Sequence, residues 1–243
     1  MNVNVLWWLL ALPFSSVGYA ASQELSTRHL NICGDSIDWP PYTYVDGEEV
    51  KGFDVDVLNQ VLSAHNITFN ITMTSWTRCL KGTKDGDFQL AVSASYSEER
   101  AKHYLYTAWY YQVTPYFMYS KQRFPDGVNI SNVTDLSQYK VCGIHGYNYA
   151  DFQLKNIDQY THNMFELVKE IREKRCEIVV VWNEIVEGIK RLWGIDYVTG
   201  EIAAQPIPNM HKHKFYMLVS KKFEEAEALQ QLLNKALPKF QSQ

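Results

Sequence analysis

Hydrophobic and polar positions follow two rhythms along this chain, and the rhythms take turns. Asn66 to Thr74 (NITFNITMT) alternates Ile67, Phe69, Ile71 and Met73 with polar residues, the period-two pattern of a strand with one buried face. His29 to Cys33, Phe88 to Ser93, Tyr116 to Ser120, Lys140 to Ile144 and Lys214 to Ser220 predict further strands. Glu177 to Trp182 (EIVVVW) is continuous and apolar, which suits a strand covered on both faces. Helical spacing fills the gaps. Phe53, Val55, Val57, Leu58, Val61 and Leu62 follow Gly52, a short helix starts at Trp76, and Met164, Leu167, Val168 and Ile171 form one stripe within Asn163 to Lys174. Phe223 to Leu237 predicts an amphipathic helix that stops at Pro238. The alternation of strand and helix predicts an α/β fold with mainly parallel strands. The turn-rich stretch from Phe124 to Leu136 reads as a loop.

The N-terminus changes the picture. Val5 to Phe14 is a ten-residue apolar block in an uncharged segment, followed by Gly18 and Ala20. That block is shorter than the ~20 residues of a membrane span and has the form of an export signal. Residues 1–20 are therefore expected to be a signal peptide, cleaved after Ala20. Export makes four cysteines, Cys33, Cys79, Cys142 and Cys176, candidates for two disulfides. Their spacings of 46, 63 and 34 residues contain no C-x-x-C, so zinc is not expected. Four cysteines allow three pairings, and the spacing does not choose among them.

Charge and motifs then remove function classes. Twenty-three Lys and Arg against twenty-seven Asp and Glu, with no long basic run, argue against nucleic acid. No G-x-S-x-G, P-loop, G-x-G-x-x-G or H-E-x-x-H occurs, so the common catalytic constellations are absent and no cofactor is expected. His211-Lys-His213 supplies two histidines with no third ligand in view, and reads as a solvated turn.

One ordered set of motifs remains. Trp39-Pro-Pro-Tyr42 is followed by Gly52-Phe-Asp-Val-Asp56, Ser75-Trp76-Thr-Arg78, Gly86-Asp-Phe and Ser93-Ala-Ser95-Tyr-Ser-Glu-Glu-Arg100. Tyr104 to Tyr111 and Gly143-Ile-His-Gly146-Tyr147-Asn148 come next. This series resembles the extracytoplasmic solute-binding proteins of the polar amino acid type, family 3, over about Leu30 to Leu237. The resemblance implies a two-lobed fold of the periplasmic-binding-protein type (type II), with two crossing segments and a ligand cleft between the lobes. Lobe 1 would be residues 27–112 and 214–243, and lobe 2 residues 113–213, with crossings near 112–115 and 211–214. It further implies a periplasmic protein, without catalysis, that captures a small polar or anionic solute by hinge closure. Its partner would be a membrane permease of an ABC importer, and the chain would act as a monomer. A sensory module for a membrane receptor and a dehydratase on the same fold are the alternatives. Disulfides within lobes, Cys33 with Cys79 and Cys142 with Cys176, are expected because a bridge between lobes would restrain the hinge.

The resemblance also points to site residues. Arg100 matches the arginine that clamps a ligand carboxylate, through a planar fork that makes two parallel hydrogen bonds. Ser93 and Ser95 fall where the family offers polar groups to the same ligand, and Trp39 and Trp76 where it places aromatic walls. Tyr147 and Asn148 fall at an expected helix N-terminus, whose free N–H groups suit an anion. One departure stands out. Where the family's amino-acid binders carry an Asp for the ligand's α-ammonium, this chain has Trp182-Asn183-Glu184. Trp182 offers no countercharge, Asn183 only a neutral oxygen, and Glu184 a substitute only if it turns into the cleft. A ligand without a conventionally bound α-ammonium is expected on that ground.

Overall fold

The computed structural model describes residues 25–241 apart from residue 155. The expected signal peptide over 1–20 lies outside the described residues. In chain order the elements begin with β1 (His29–Asp35), β2 (Tyr44–Asp46), β3 (Glu49–Lys51), α1 (Phe53–Ser63), β4 (Thr68–Thr74), α2 (Trp76–Asp85) and β5 (Leu90–Ser95). They continue with α3 (Glu98–Ala101), β6 (Tyr104–Tyr106), β7 (Tyr111–Val113), β8 (Pro115–Ser120), β9 (Val141–Ile144), β10 (Asp158–Thr161) and α4 (Met164–Arg172). β11 (Ile178–Trp182), α5 (Asn183–Trp193), β12 (Ile202–Pro206), β13 (His213–Ser220) and α6 (Ala226–Ala236) complete the set.

Two large sheets organise these elements, one per lobe, and β2 and β3 pair as a separate two-stranded ribbon. The first runs β4-β1-β5-β13-β6, with β7 also paired to β13, and the second runs β10-β9-β11-β8-β12. Only part of each sheet is parallel. β4, β1 and β5 run together, as do β10, β9 and β11, whereas β13 is antiparallel to β5 and β8 antiparallel to β11. The expectation of mainly parallel sheets is corrected accordingly. The cause is the crossings: a chain that leaves one lobe and returns from the other enters each sheet against the direction of its βα repeats. The chain passes between the sheets at Thr114 and again between Pro206 and His213. The two crossings lie side by side, with His213 opposite Val113 and Phe215 opposite Tyr111 in an antiparallel register.

Local chemistry explains the element ends that matter for the cleft. Gly52 precedes α1 at φ 116°, and a Cβ there would lie 2.3 Å from the Tyr42 carbonyl oxygen, so only glycine fits. Asp54 and Asp56 occupy the first turn of α1, where carboxylates suit the helix dipole. The Asn163 side chain caps α4, and Leu167, Val168 and Ile171 are buried against the second sheet. Each such burial stabilises by about 1.5–3 kcal/mol as an upper figure. Every residue of β11 is buried, as its unbroken apolar run predicts.

Both expected disulfides are present. Cys33 and Cys79 lie with their Cα atoms 5.6 Å apart, and Cys142 and Cys176 at 6.0 Å. Each bridge stays within one lobe. Several short elements escape hydrophobic periodicity, among them β2, β3, β6, β7, β10 and β12. The loop over 124–136 runs into a 3₁₀ helix, Val133–Gln138, capped by Asn132. The stretch after Gly146 is not the start of an α-helix. It is a turn leading to a three-residue 3₁₀ helix, Ala150–Phe152, because Gly146 sits at φ 79° and no apolar stripe follows it.

Candidate functional site

A cleft between the lobes encloses about 470 Å³ of atom-free space, counting its mouth. Lobe 1 contributes residues from β1, the turn before β2, α2, β5, α3 and β13, and lobe 2 contributes the turn after β9 and the end of β11.

Arg100, in the short helix α3, carries the positive charge of the cleft. Its Nη1 donates to the Ser95 carbonyl at 3.2 Å and to the Ser95 hydroxyl at 3.1 Å, and its guanidinium sits 5.5 Å from the centre of the Trp76 ring. Ser97 caps α3 by accepting from the Arg100 amide, so the helix start itself aims the side chain. Among the described residues no carboxylate lies within salt-bridge distance of Arg100, and Nε and Nη2 have no protein partner. Burial lowers the guanidinium's pKa from its usual value. Arg100 is half-buried, so its free donors remain open to an anion that enters the cleft.

Asp35 supplies a negative charge in the same cleft, and hydrophobic patterning along the sequence did not single it out. It ends β1, accepts from the Ile37 amide at 3.1 Å, and lies against the Trp76 amide at the start of α2. Burial pushes its carboxyl up to about 6, against the lowering effect of the Ile37 amide and of the Tyr147 hydroxyl that faces it. In the sequence it only ends a strand ahead of a turn, a position common to ordinary acids, and its approach to the start of α2 exists only in the fold.

Aromatic rings close the space between the two charges. Trp39 meets Tyr147, Trp182 and Phe215 at centroid distances of 5.7, 5.2 and 5.5 Å. Trp39 and Phe215 belong to lobe 1 and Tyr147 and Trp182 to lobe 2, so the contacts of Trp39 with Tyr147 and Trp182 join the lobes. Asn148 adds a polar tie: its amide donates to the Tyr96 carbonyl at 2.7 Å and reaches the Ser95 hydroxyl at 3.4 Å. Gly188 of α5 lets the lobes approach, because a Cβ there would lie 2.5 Å from the Pro40 carbonyl oxygen.

Of the ten residues singled out from the sequence, the fold brings eight to the wall of the cleft: Trp39, Trp76, Ser93, Ser95, Arg100, Tyr147, Asn148 and Trp182. Asn183 and Glu184 are not in that wall. Both turn to the first crossing. The Asn183 backbone N–H donates to the Thr114 carbonyl at 3.0 Å, and the Glu184 carboxylate accepts from the Thr114 backbone N–H at 2.7 Å and its hydroxyl at 2.8 Å. Glu184 therefore does not substitute for the missing aspartate. Thr43, Val92 and Phe215 join Asp35 as wall residues that periodicity alone did not mark.

The profile of the bacterial extracellular solute-binding proteins, family 3, matches residues 32–243. A curated relative from Neisseria gonorrhoeae, named as a probable histidine-binding protein, is 22% identical over 214 residues, covering 83% of this chain and 74% of that protein. A histidine kinase sensor domain with similarity to periplasmic binding proteins superposes at a TM-score of 0.71, with 17% identity and coverage of 87% of this chain and 90% of that one. The substrate-binding protein of an ABC uptake transporter from Streptococcus pneumoniae, with bound histidine, superposes at 0.68 with 18% identity, covering 87% and 86% of the two chains. The arginine-bound arginine-binding protein of T. maritima, as its Gly52Ala mutant, superposes at 0.67 with 14% identity, covering 88% and 96%.

Proposed function

Since the chain belongs to the bacterial extracellular solute-binding proteins of family 3, we propose that it captures a small amino-acid-like solute between its two lobes. The observation that carries this reading is the placement of Arg100, half-buried and without a protein anion, with Asp35 in one aromatic-walled cleft. The solute's carboxylate meets the guanidinium fork. Its donor or cationic end meets Asp35, on lobe 1, and its carbon body lies among Trp39, Trp76 and Trp182, where ring faces suit both carbon and a cation. The position on lobe 2 that holds the α-ammonium in the family's amino-acid binders is Trp182, so the positive end is held from the other side of the cleft. Relatives named for histidine and arginine support a ligand of this class. Delivery to a membrane permease from the periplasm follows from the family role. The sensor-domain neighbour supports a second reading, presentation of the solute to a membrane kinase.

The test is a thermal-shift panel of the twenty amino acids and their deaminated acids on the mature chain, followed by calorimetry. A ligand at 100 times its Kd adds ~2.7 kcal/mol of stability. Arg100→Ala is expected to weaken the ligand found by roughly thirty-fold or more, with an unchanged circular dichroism spectrum. Arg100→Lys is also expected to fail, since an ammonium lacks the planar fork. Equal affinity in Arg100→Ala would refute the carboxylate site.

A further inference from the structure

Asp54 has no solvent-exposed surface and does not line the cleft, yet three cleft residues depend on it. Its Oδ2 accepts from the Thr43 hydroxyl and from the Ser93 hydroxyl at 2.6 Å, and its Oδ1 accepts from the Tyr110 hydroxyl at 2.5 Å. Tyr110 in turn accepts from the Ser93 amide at 3.1 Å. The Ser93 hydroxyl accepts from Tyr111 at 2.7 Å, and Tyr111 accepts from the Trp39 indole N–H at 3.0 Å. Each hydroxyl has one proton, and each proton in this series is passed toward Asp54. An ionised carboxylate only accepts, so it sets the direction of the whole series.

The backbone at Ser93 gives this network something to hold. Ser93 sits at φ 57°, a left-handed conformation that costs a serine about 1 kcal/mol or more unless its surroundings impose it. The strand pairing slips there: Ala91 faces Leu218 and Ala94 faces Tyr216, so β5 spends one residue more than β13 between them. That is a β-bulge, a device that re-aims neighbouring side chains. Val92, Ser93 and Ser95, on and beside the bulge, all face the cleft, and Ser95 is the partner of Arg100.

We propose that Asp54 is a positioning residue for the solute site: it holds the Ser93 bulge, and with it the Ser95–Arg100 clamp, in binding geometry. The Ser93 hydroxyl proton is thereby committed to Asp54 and one of its two lone pairs to Tyr111, so the hydroxyl has no proton left to donate to the ligand and Ser93 acts chiefly through its place in the bulge. Thr43 and, through Tyr111, Trp39 are fixed by the same carboxylate. The inference rests on the proposed solute site for its affinity readout, and on the fold alone for its backbone readout.

The experiment uses the mature chain as Asp54→Asn, Ser93→Gly and the double variant. Asparagine keeps the shape but presents a donor to one of the hydroxyl donors. Glycine adopts the left-handed conformation without a hold. In Asp54→Asn, the backbone carbon shifts of residue 93 in NMR are expected to move away from left-handed values, and affinity for the best panel ligand to fall about tenfold or more. In the Ser93→Gly background the same Asp54→Asn change is expected to cost less than about threefold, because the bulge no longer needs the carboxylate. A merely structural Asp54 would lower affinity by the same factor in both backgrounds, and that result, or unmoved shifts at residue 93, overturns the proposal. If no panel member binds, the solute class proposed above fails, and the NMR comparison alone decides the role of Asp54. Tyr110→Phe removes one arm of the network while keeping the ring, and is expected to give the same effects at smaller size should Asp54→Asn not fold.

Discussion

Glu184 accepts two hydrogen bonds from Thr114, one from its amide at 2.7 Å and one from its hydroxyl at 2.8 Å. The carboxylate at the start of α5 thus holds the first crossing between the lobes, where it also suits the helix dipole. Glu184→Gln is expected to lower stability by about 1 kcal/mol, measured by urea unfolding, since a charge-assisted pair becomes a neutral one. The ratio of affinities for an amino acid and its deaminated acid is expected to stay the same. A collapse of that ratio would place Glu184 in the cleft.

Asp35 is expected to carry the preference that Glu184 does not. Asp35→Asn leaves a neutral acceptor beside the ligand's positive end. It should cut the amine-over-deaminated preference by about tenfold or more, while the deaminated acid binds as well as before. Calorimetry with matched pairs of ligands reads this directly, and an unchanged preference would remove Asp35 from the site.

Stability should depend on pH through the same residue. Burial holds the carboxyls of Asp35 and Asp54 up at about 6, so the folded chain keeps protons that the unfolded chain has released between about 4 and 6. These two groups make stability fall as pH rises through that window. His213 works the other way. Burial lowers its pKa, so the unfolded chain takes up the proton first and stability from this group is lost as pH falls below about 6.5. In Asp35→Asn the acid-side gain should shrink and stability at pH 7 rise by roughly 2–3 kcal/mol at most. Melting temperatures of both proteins from pH 4.5 to 8 check the sign; superimposable profiles would contradict it.

Gly188 of one lobe packs against the Pro40 backbone of the other, and a methyl group at 188 would lie 2.5 Å from the Pro40 oxygen. Gly188→Ala is therefore expected to hold the lobes apart. Ligand affinity should drop by tenfold or more, by about 1.4 kcal/mol per decade, with each lobe's disulfide and fold retained. Small-angle scattering with saturating ligand should show a larger radius of gyration than the parent. An equal radius and affinity would mean that the seam yields.

The disulfides close loops of 46 and 34 residues within their lobes. Replacing either pair with serine or alanine is expected to cost about 2–4 kcal/mol, without abolishing ligand binding at 20 °C where the variant remains folded. Chemical denaturation of each double-serine variant measures it. A loss of binding without loss of stability would tie that bridge to the cleft.

Hydrophobic rhythm alone determined the α/β class, the long strands, and helices α1, α4 and α6, because each buries a face whose period is written locally, as Leu167, Val168 and Ile171 show for α4. The motif order was enough to bring Arg100, Trp39, Trp76 and Tyr147 forward. Short strands such as β7 and β12 were not legible, since three to five residues hold too few positions for a period and their pairing partners lie far along the chain. The site divided in the same way. Asp35 ends β1 and Glu184 follows β11 in the first turn of α5, and neither hydrophobic pattern says where its carboxylate goes. Only the tertiary structure sends one into the cleft and the other to Thr114, because the direction of a side chain at a strand end is set by the lobe packed against it. Asp54 shows the same division within one motif: its place at the head of α1 is written in Gly52-Phe-Asp, but its hold on Ser93, thirty-nine positions away, exists only once β5 lies beside α1.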